Sequence, residues 1–416
     1  MDKRIYLCLA HMGGREMEFI QEAFDTNWVV PLGPNVNGFE DDLKHFCGDD
    51  CKEIVALSAG TAAVHLALLA CGVGPGDEVM VQSFTFCASS HPVTYLGATP
   101  VFVDSEPESW NIDPELLDRA IADRIAVTGR KPKAIIPVYL YGMPARIDEI
   151  IAVGQKYDIP VIEDAAEGFG SCFDCRVCGT FGRYGVLSFN GNKMITTSGG
   201  GALICPDREA KNEIMFYATQ ARESYPYYQH ERIGYNYRMS NICAGIGRGQ
   251  MFVLDEHIAH HKHIQDMYRT LLADVPGVTL HDNPSERYDS NFWLCTITLH
   301  PELKVKGQDN AYATAVSGAV GGAAGVTHKA SGTHTDCEPN ANVEAMRMYL
   351  DAAGIESRPL WKPMHCQPVY AKNPAYINGV SESLFKIGLC LPSGPMVTDD
   401  DVRYIVSQIK SAIIPG

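Results

Sequence analysis

The chain has 416 residues, 46% hydrophobic and 20% charged, with a formal net charge of −16. That length exceeds what one core usually organises, so two domains are expected, and the carboxylate surplus excludes a nucleic-acid partner while leaving a phosphorylated small molecule open. Fourteen cysteines fall well short of a disulfide scaffold, no apolar stretch approaches the roughly 20 residues of a membrane span, and Lys3-Arg4 precede an apolar run (5–10) too short for a secretory signal, so a reduced, cytoplasmic enzyme is expected.

From 53 to about 205, short β-rich runs alternate with helical patterns. Strands are expected at EIVALS (53–58), DEVMVQ (77–82), PVFVD (100–104), KAIIPVY (133–139), IPVIED (159–164), GVLSFN (185–190) and GALIC (201–205). Helical periodicity fills gaps among the first five, as at 62–70 and 146–157. Continuous apolar runs separated by helices indicate an α/β fold with a mostly parallel sheet of seven strands, covered on both faces. No helix separates the sixth run from the seventh, which predicts an antiparallel return there.

After about residue 240 the pattern changes. A helix is predicted over 241–273, a strand at FWLCTITL (292–299), and helices over 342–353 and 399–412. These form a smaller α+β domain over 251–416, against a large domain over 1–250. The segment 305–340 is rich in Gly, Ala, Thr and Ser without a clear period, and reads as a surface insertion.

In an open α/β sheet, ligands bind beyond the carboxyl ends of the strands, and three such ends carry chemistry. Ser58-Ala59-Gly60-Thr61-Ala62 follows a strand and opens a helix; its backbone N–H groups, the helix dipole and the Thr61 hydroxyl make an anion site, although alone it reads equally as ordinary capping. Glu163-Asp164 ends a buried strand, where a carboxylate needs a partner. A pyridinium nitrogen is one such partner, and a capping or ion-paired role is the plain alternative. Lys193 closes the run Ser188-Phe189-Asn190-Gly191-Asn192-Lys193, shortly before Gly199-Gly200-Gly201. Imine chemistry needs a lysine that can be desolvated, and glycines let backbone approach a bound ring. On its own this lysine reads sooner as structural, with its stem buried and its head in water. In this order along one chain, the three signals are far more specific than any one of them.

Gly-Thr-Ala at 60–62, Phe84-Thr85-Phe86, Glu163-Asp164-Ala165-Ala166-Glu167, Ser188-Phe189 leading to Lys193, and Gly234-Tyr235-Asn236-Tyr237-Arg238-Met239-Ser240 together resemble the DegT/DnrJ-type sugar aminotransferases, which are fold-type I pyridoxal 5'-phosphate enzymes. The resemblance runs from about residue 5 to the C-terminus, except for 305–340. Three runs, SFNGNKMITTSGGG (188–201), Gln220-Ala221-Arg222-Glu223, and Arg358-Pro359-Leu360-Trp361-Lys362 leading to Met364-His365, are most similar to the UDP-4-keto-6-deoxy-N-acetylglucosamine 4-aminotransferases of bacillosamine and pilin-type glycosylation.

The resemblance implies that Lys193 holds the cofactor covalently and that Asp164 binds its pyridine nitrogen. Glu167 takes the position of a residue, usually Gln or His, that contacts the ring hydroxyl. Phe86 stacks on the ring. Gly60, Thr61, Ala62 and Ser188 bind the phosphate, with Asn236 reaching over from a second subunit, so a homodimer with shared active sites is implied. Arg238 and Arg358 are candidates for the sugar-nucleotide diphosphate, with surface ion pairing the alternative for Arg358. The substrates implied are L-glutamate as amino donor and a UDP-linked keto sugar. A pyridoxamine-dependent dehydratase would carry histidine in place of Lys193. A 3-keto sugar aminotransferase and a non-catalytic sugar-nucleotide-binding protein are the remaining alternatives.

Two constellations are set aside as metal sites. Cys172, Cys175 and Cys178 have iron–sulfur-like spacing but no fourth cysteine nearby. His257, His260, His261 and His263 are read as a solvated helix face.

Overall fold

The computed structural model describes residues 4–49, 52–312 and 337–414. Most of the segment expected as an insertion, 313–336, therefore lies outside the described residues. The seven apolar runs become strands β1 (Glu53–Leu57), β2 (Glu78–Gln82), β3 (Thr99–Val103), β4 (Ala134–Ile136), β5 (Ile162–Asp164), β8 (Tyr184–Ser188) and β9 (Gly201–Cys205), with a small hairpin, β6 (Cys172–Phe173) and β7 (Arg176–Val177), between the fifth and sixth. The C-terminal part adds β10 (Val278–Leu280), β11 (Tyr288–Asp289), β12 (Cys295–Leu299), β13 (Arg358–Pro359), β14 (Ala375–Tyr376) and β15 (Gly388–Leu391).

Ladders order the large sheet as β1-β9-β8-β5 and β4-β2-β3-β14, and parallel bridges Ile135–Val161 and Val138–Asp164 join β4 to β5. Only β9 runs against its neighbours, β1 and β8, which is the expected antiparallel return. β1, β2 and β9 are apolar on both faces because alternate side chains enter two different cores. Val55, Leu57, Val79, Val81, Leu203 and Cys205 belong to one. Ile54, Ala56, Met80, Ala202 and Ile204 belong to the other. Each Val, Leu, Ile or Met side chain buried this way contributes about 1.5–3 kcal/mol relative to exposure.

The second sheet, β10-β12-β15-β13, is antiparallel throughout. Helices Leu254–Leu272, Ala341–Ala352 and Asp399–Ala412 cover it through Ile264, Tyr268, Val343, Met346, Val402, Ile405 and Ile409, at the three- and four-residue spacing of one helix face. Thr398 and Asp401 form a capping box that starts the last helix. Two short elements tie the parts together: β14 joins β3 at the edge of the large sheet, and Ile5 pairs with Ile355.

The helix predicted over 241–273 is two helices, Asn241–Met251 and Leu254–Leu272. The first carries Gly245, Gly247 and Gly249, and a Cβ added at Gly249 would stand 2.6 Å from the Glu16 Cα. Glycine there lets the helix lie against Glu16–Asp25 and Pro34–Cys47. The second must turn instead toward the core over the second sheet, so the chain breaks at 252–253.

The expected solvated histidine face is corrected in the same place. His257 and His261 lie on the buried side of Leu254–Leu272. The His257 ring is within 3.2 Å of the Met194 carbonyl and of His11 Nδ1. His261 Nδ1 is 3.1 Å from the Phe292 carbonyl, and burial lowers its pKa to about 3, so it packs as a neutral ring. Only His263 is solvated, 2.9 Å from Asp399. Cys172 and Cys178 flank a tight turn in which Asp174 and Cys175 have positive φ. Cys175 is exposed while Cys178 is buried, so the three thiols do not converge.

Candidate active site

The carboxyl ends of β1, β5 and β8 open on a cavity of about 340 Å³, within the roughly 300–1,000 Å³ range of small-molecule sites. Gly60, Thr61, Phe86, Asp164, Glu167, Ser188 and Lys193 all line it. Strand alternation decides which of the paired carboxylates faces inward. Asp164 does, whereas Glu163 turns away to accept from Gly179 N at 2.8 Å, from Gly182 N and from the Tyr139 hydroxyl.

Asp164 is fixed at both backbone and side chain. Its N–H donates to the Pro137 carbonyl at 2.9 Å and its carbonyl accepts from Tyr139 N at 3.1 Å. Its Oδ2 accepts from Ser89 Oγ at 2.6 Å and its Oδ1 from Ala166 N at 3.2 Å. Ser89 is held in turn by Thr85 Oγ1 at 2.8 Å. Burial raises the Asp164 carboxyl above the usual range, opposed by these hydrogen bonds and by the charge of Lys193. Glu167 is likewise raised by burial, against the charge of Lys193 and a bond from Tyr141 N at 2.7 Å.

Lys193 lies on the connection between β8 and β9, which folds tightly on itself through Phe189 N to Gly200 O (2.9 Å) and Thr197 N to Phe189 O (3.0 Å). Its side chain is 13% exposed, and its Nζ donates to Glu167 Oε1 at 3.2 Å. The same Nζ stands 4.0 Å from the Trp293 ring centroid. Trp293 is anchored by its indole N–H to the Asn192 carbonyl at 2.7 Å.

At the other end of the cavity, the helix Gly60–Ala70 begins without a side-chain cap or a first-turn acid. Its first N–H groups have no intrahelical partner. Ser188 sits beside this turn, because a Cβ at Gly60 would be 3.1 Å from the Ser188 Cβ, and one at Gly201 only 2.4 Å from Gly60 N. Glycine at 201 is what lets the strand and the helix start approach each other.

These features form a donor set for pyridoxal phosphate. Among the described residues, the cavity wall carries two buried carboxylates and one amine, Lys193. A pyridinium N–H would supply the second positive charge at Asp164, and the uncapped helix start would receive a phosphate. Phe86 is 53% exposed on the cavity rim, with its ring 5.2 Å from that of Trp361, so one face is open to a ligand. Ala62 lies buried in the helix's first turn.

Four sequence-derived candidates do not line this wall: Ala62, buried within its helix, and Asn236, Arg238 and Arg358. Asn236 is exposed, its backbone bridging Thr219. Arg238 pairs with Leu57 through the backbone, and its Nε is buried without a partner among the described residues. Arg358 is ion-paired with Glu356 at 2.9 Å on β13. Conversely, Ser89 and Trp293 were not singled out from the sequence. Their signals were a serine three residues after Phe86 and one of only four tryptophans.

A mostly parallel sheet with this donor set at its carboxyl end defines an α/β enzyme of the fold-type I pyridoxal-phosphate class. The chain belongs to the DegT/DnrJ/EryC1/StrS aminotransferase family, whose profile matches residues 11–318 and 325–410, and it is a pyridoxal-phosphate-dependent sugar aminotransferase. It is 43% identical to EpsN of Bacillus subtilis (strain 168) over 98% of this chain and 96% of the relative. It is 32% identical to the GDP-perosamine synthase of Caulobacter vibrioides (strain ATCC 19089 / CIP 103742 / CB 15) over 99% of each. Its fold matches the crystal structure of a DegT DnrJ EryC1 StrS aminotransferase from Brucella abortus with a TM-score of 0.81 and 29% identity, covering 95% of each chain.

Proposed function

We propose that this aminotransferase moves an amino group from L-glutamate to the C4 carbonyl of a UDP-linked 4-keto-6-deoxy-N-acetylhexosamine. The observation that carries this reading is the likeness of 188–201, 220–223 and 358–365 to the enzymes of that reaction. A second cavity, of about 430 Å³, supports it. It shares Thr85, Phe86 and Trp361 with the first and adds His91 and Lys362, giving a sugar nucleotide space beside the cofactor pocket.

In this reading pyridoxal phosphate supplies the aldehyde that carries the amino group and the ring that accepts an electron pair. Lys193 holds the cofactor covalently and afterwards moves the proton at its Nζ, with Glu167 as its hydrogen-bond partner. Asp164 keeps the pyridine nitrogen protonated, oriented by Ser89 and Ala166. Thr61, Ser188 and the helix start bind the phosphate. Trp293 and Phe86 wall the site from water.

The specific observation favouring a second reading, a GDP-linked keto sugar, is the full-length relative named as a GDP-perosamine synthase. Turnover of UDP-, GDP- and dTDP-linked 3- and 4-keto sugars with glutamate separates them. The UDP-linked 4-keto N-acetyl sugar should exceed every other in kcat/KM by ~10-fold or more. Preference for a GDP sugar, or for a 3-keto sugar, overturns the reading.

Asn236, Arg238 and the segment around them are proposed to serve the active site of a second copy. Tyr225, Tyr227, Tyr228 and Ile233 are exposed on that segment, as are Trp28, Val29, Val30 and Leu32 near the N-terminus. Exposed apolar residues in such number suit an interface. In a C2 dimer the loop serves the partner reciprocally. Mixing Lys193→Ala with Asn236→Ala chains should then restore up to about half of wild-type activity per heterodimer, since one site carries both lesions and the other neither. Exchanged subunits without recovery would place Asn236 in its own subunit's site.

A further inference from the structure

Away from the cofactor pocket, three residues from separate segments converge. Cys337 precedes the helix Ala341–Ala352, Cys366 ends the short turn Met364–Cys366, and Glu382 lies in the first turn of Val380–Ile387. The two sulfurs and a Glu382 carboxylate oxygen all lie within 4.8 Å of one another. Cys337 is buried, and Cys366 and Glu382 are half-buried.

The backbone holds this arrangement in place. Asn340 N donates to the Lys386 carbonyl at 2.8 Å, and Cys366 N to the Pro363 carbonyl at 3.0 Å. His365 aims at the same carboxylate, its Nε2 3.2 Å from Glu382 Oε1. The other ring nitrogen is fixed by Ser83 Oγ at 2.6 Å, and the His365 N–H returns to that oxygen at 3.2 Å. Outer hydrogen bonds of this kind orient metal-ligating carboxylates.

We infer that Cys337, Cys366 and Glu382 form a binding site for a thiophilic divalent cation of the zinc type, with a fourth position left to water. Two sulfurs and a carboxylate select zinc over the hard cations magnesium and calcium. A tetrahedral zinc with bonds of about 2.3 Å to sulfur places two sulfurs about 3.8 Å apart, a separation inside the 4.8 Å span of this cluster. Lys386 Nζ stands 4.0 Å from Glu382 Oε2, and metal entry exchanges this long ion pair for a coordinate bond. The site would tie the segment leading into Ala341–Ala352 to the loop bearing Trp361, Lys362 and Met364, which walls the second cavity. Its role is therefore to brace that wall.

The test uses the holoenzyme, stripped with a chelator under reducing conditions, desalted and given zinc or cobalt(II) alone. One equivalent of zinc per chain should be retained, and Cys337 and Cys366 should become protected from alkylation by peptide mapping. Cobalt should give long-wavelength ligand-field bands of a thiolate site, clear of the cofactor's absorbance. Cys366→Ser should lose that equivalent, Glu382→Gln should weaken binding at least ~10-fold, and His365→Asn by ~10–100-fold. Cys175→Ser, in the exposed hairpin, should retain it. Wild-type protein holding no more metal than Cys366→Ser overturns the proposal. So does protection of other cysteines only, or a Cys337–Cys366 disulfide that excludes metal in the protein as isolated.

Discussion

Lys193→Ala should abolish turnover, by ~10⁴-fold or more, and with it the absorbance of the covalently held cofactor. The expectation rests on the amine's uniqueness and placement. Among the described residues it is the one lysine on the cavity wall, backed by Trp293 and 3.2 Å from Glu167. No neighbouring side chain there can take over both the covalent link and the proton transfer. Among the described residues, Lys362, which lines the adjoining cavity, is the nearby rival. Borohydride reduction and peptide mapping decide between them, because reduction fixes the cofactor to whichever lysine holds it. Label on Lys362, or a Lys193→Ala protein that keeps turning over, removes Lys193 from its role.

The parts of this site legible in the sequence are those that hang on strand ends. Buried strands announce themselves by uninterrupted apolar runs, and the residues at the carboxyl end of each run stand at one edge of the sheet. Thr61, Asp164 and Ser188 are placed directly by that rule. Lys193 reads from the sequence as a strand-end residue too, but β8 stops at Ser188 and the lysine lies five residues beyond it on a folded connection. Ser89 and Trp293 were illegible for a physical reason. Each acts on a residue distant in sequence, Asp164 and Lys193, and no local periodicity encodes such a pairing. The histidines of Leu254–Leu272 misled in the opposite direction. Polar rings at that spacing look solvated, but the Met194 and Phe292 carbonyls each meet one ring nitrogen, of His257 and His261, inside the fold. Similarly, the break at 252–253 depends on which core each half of the helix meets, which the helical period cannot report.

Asp164→Asn should keep pyridoxal phosphate bound but lower turnover by ~10²–10⁴-fold, because a neutral amide cannot hold a proton on the pyridine nitrogen. Binding should survive because the contacts proposed for the helix start at Gly60, for Ser188 and for Lys193 are untouched. The amide can still accept from Ser89, while its NH₂ cannot replace the bond from Ala166 N. The stability of the apoprotein supplies an independent readout with a definite sign. Burial raises the folded-state pKa of Asp164 above its ordinary value. The native state therefore binds the proton more tightly than the unfolded chain. The stability that this proton confers is complete below the unfolded pKa, and it is lost as pH rises through the folded pKa. Thermal melting of apo wild type should accordingly fall relative to apo Asp164→Asn as pH rises from the carboxylate range toward neutrality. With the cofactor bound, the pyridinium offsets the buried charge, and that relative decline should disappear. A variant with near-normal turnover would show that Asp164 does not hold the ring nitrogen. Parallel pH profiles of the two apoproteins would show that its carboxylate is not a buried charge awaiting a cation.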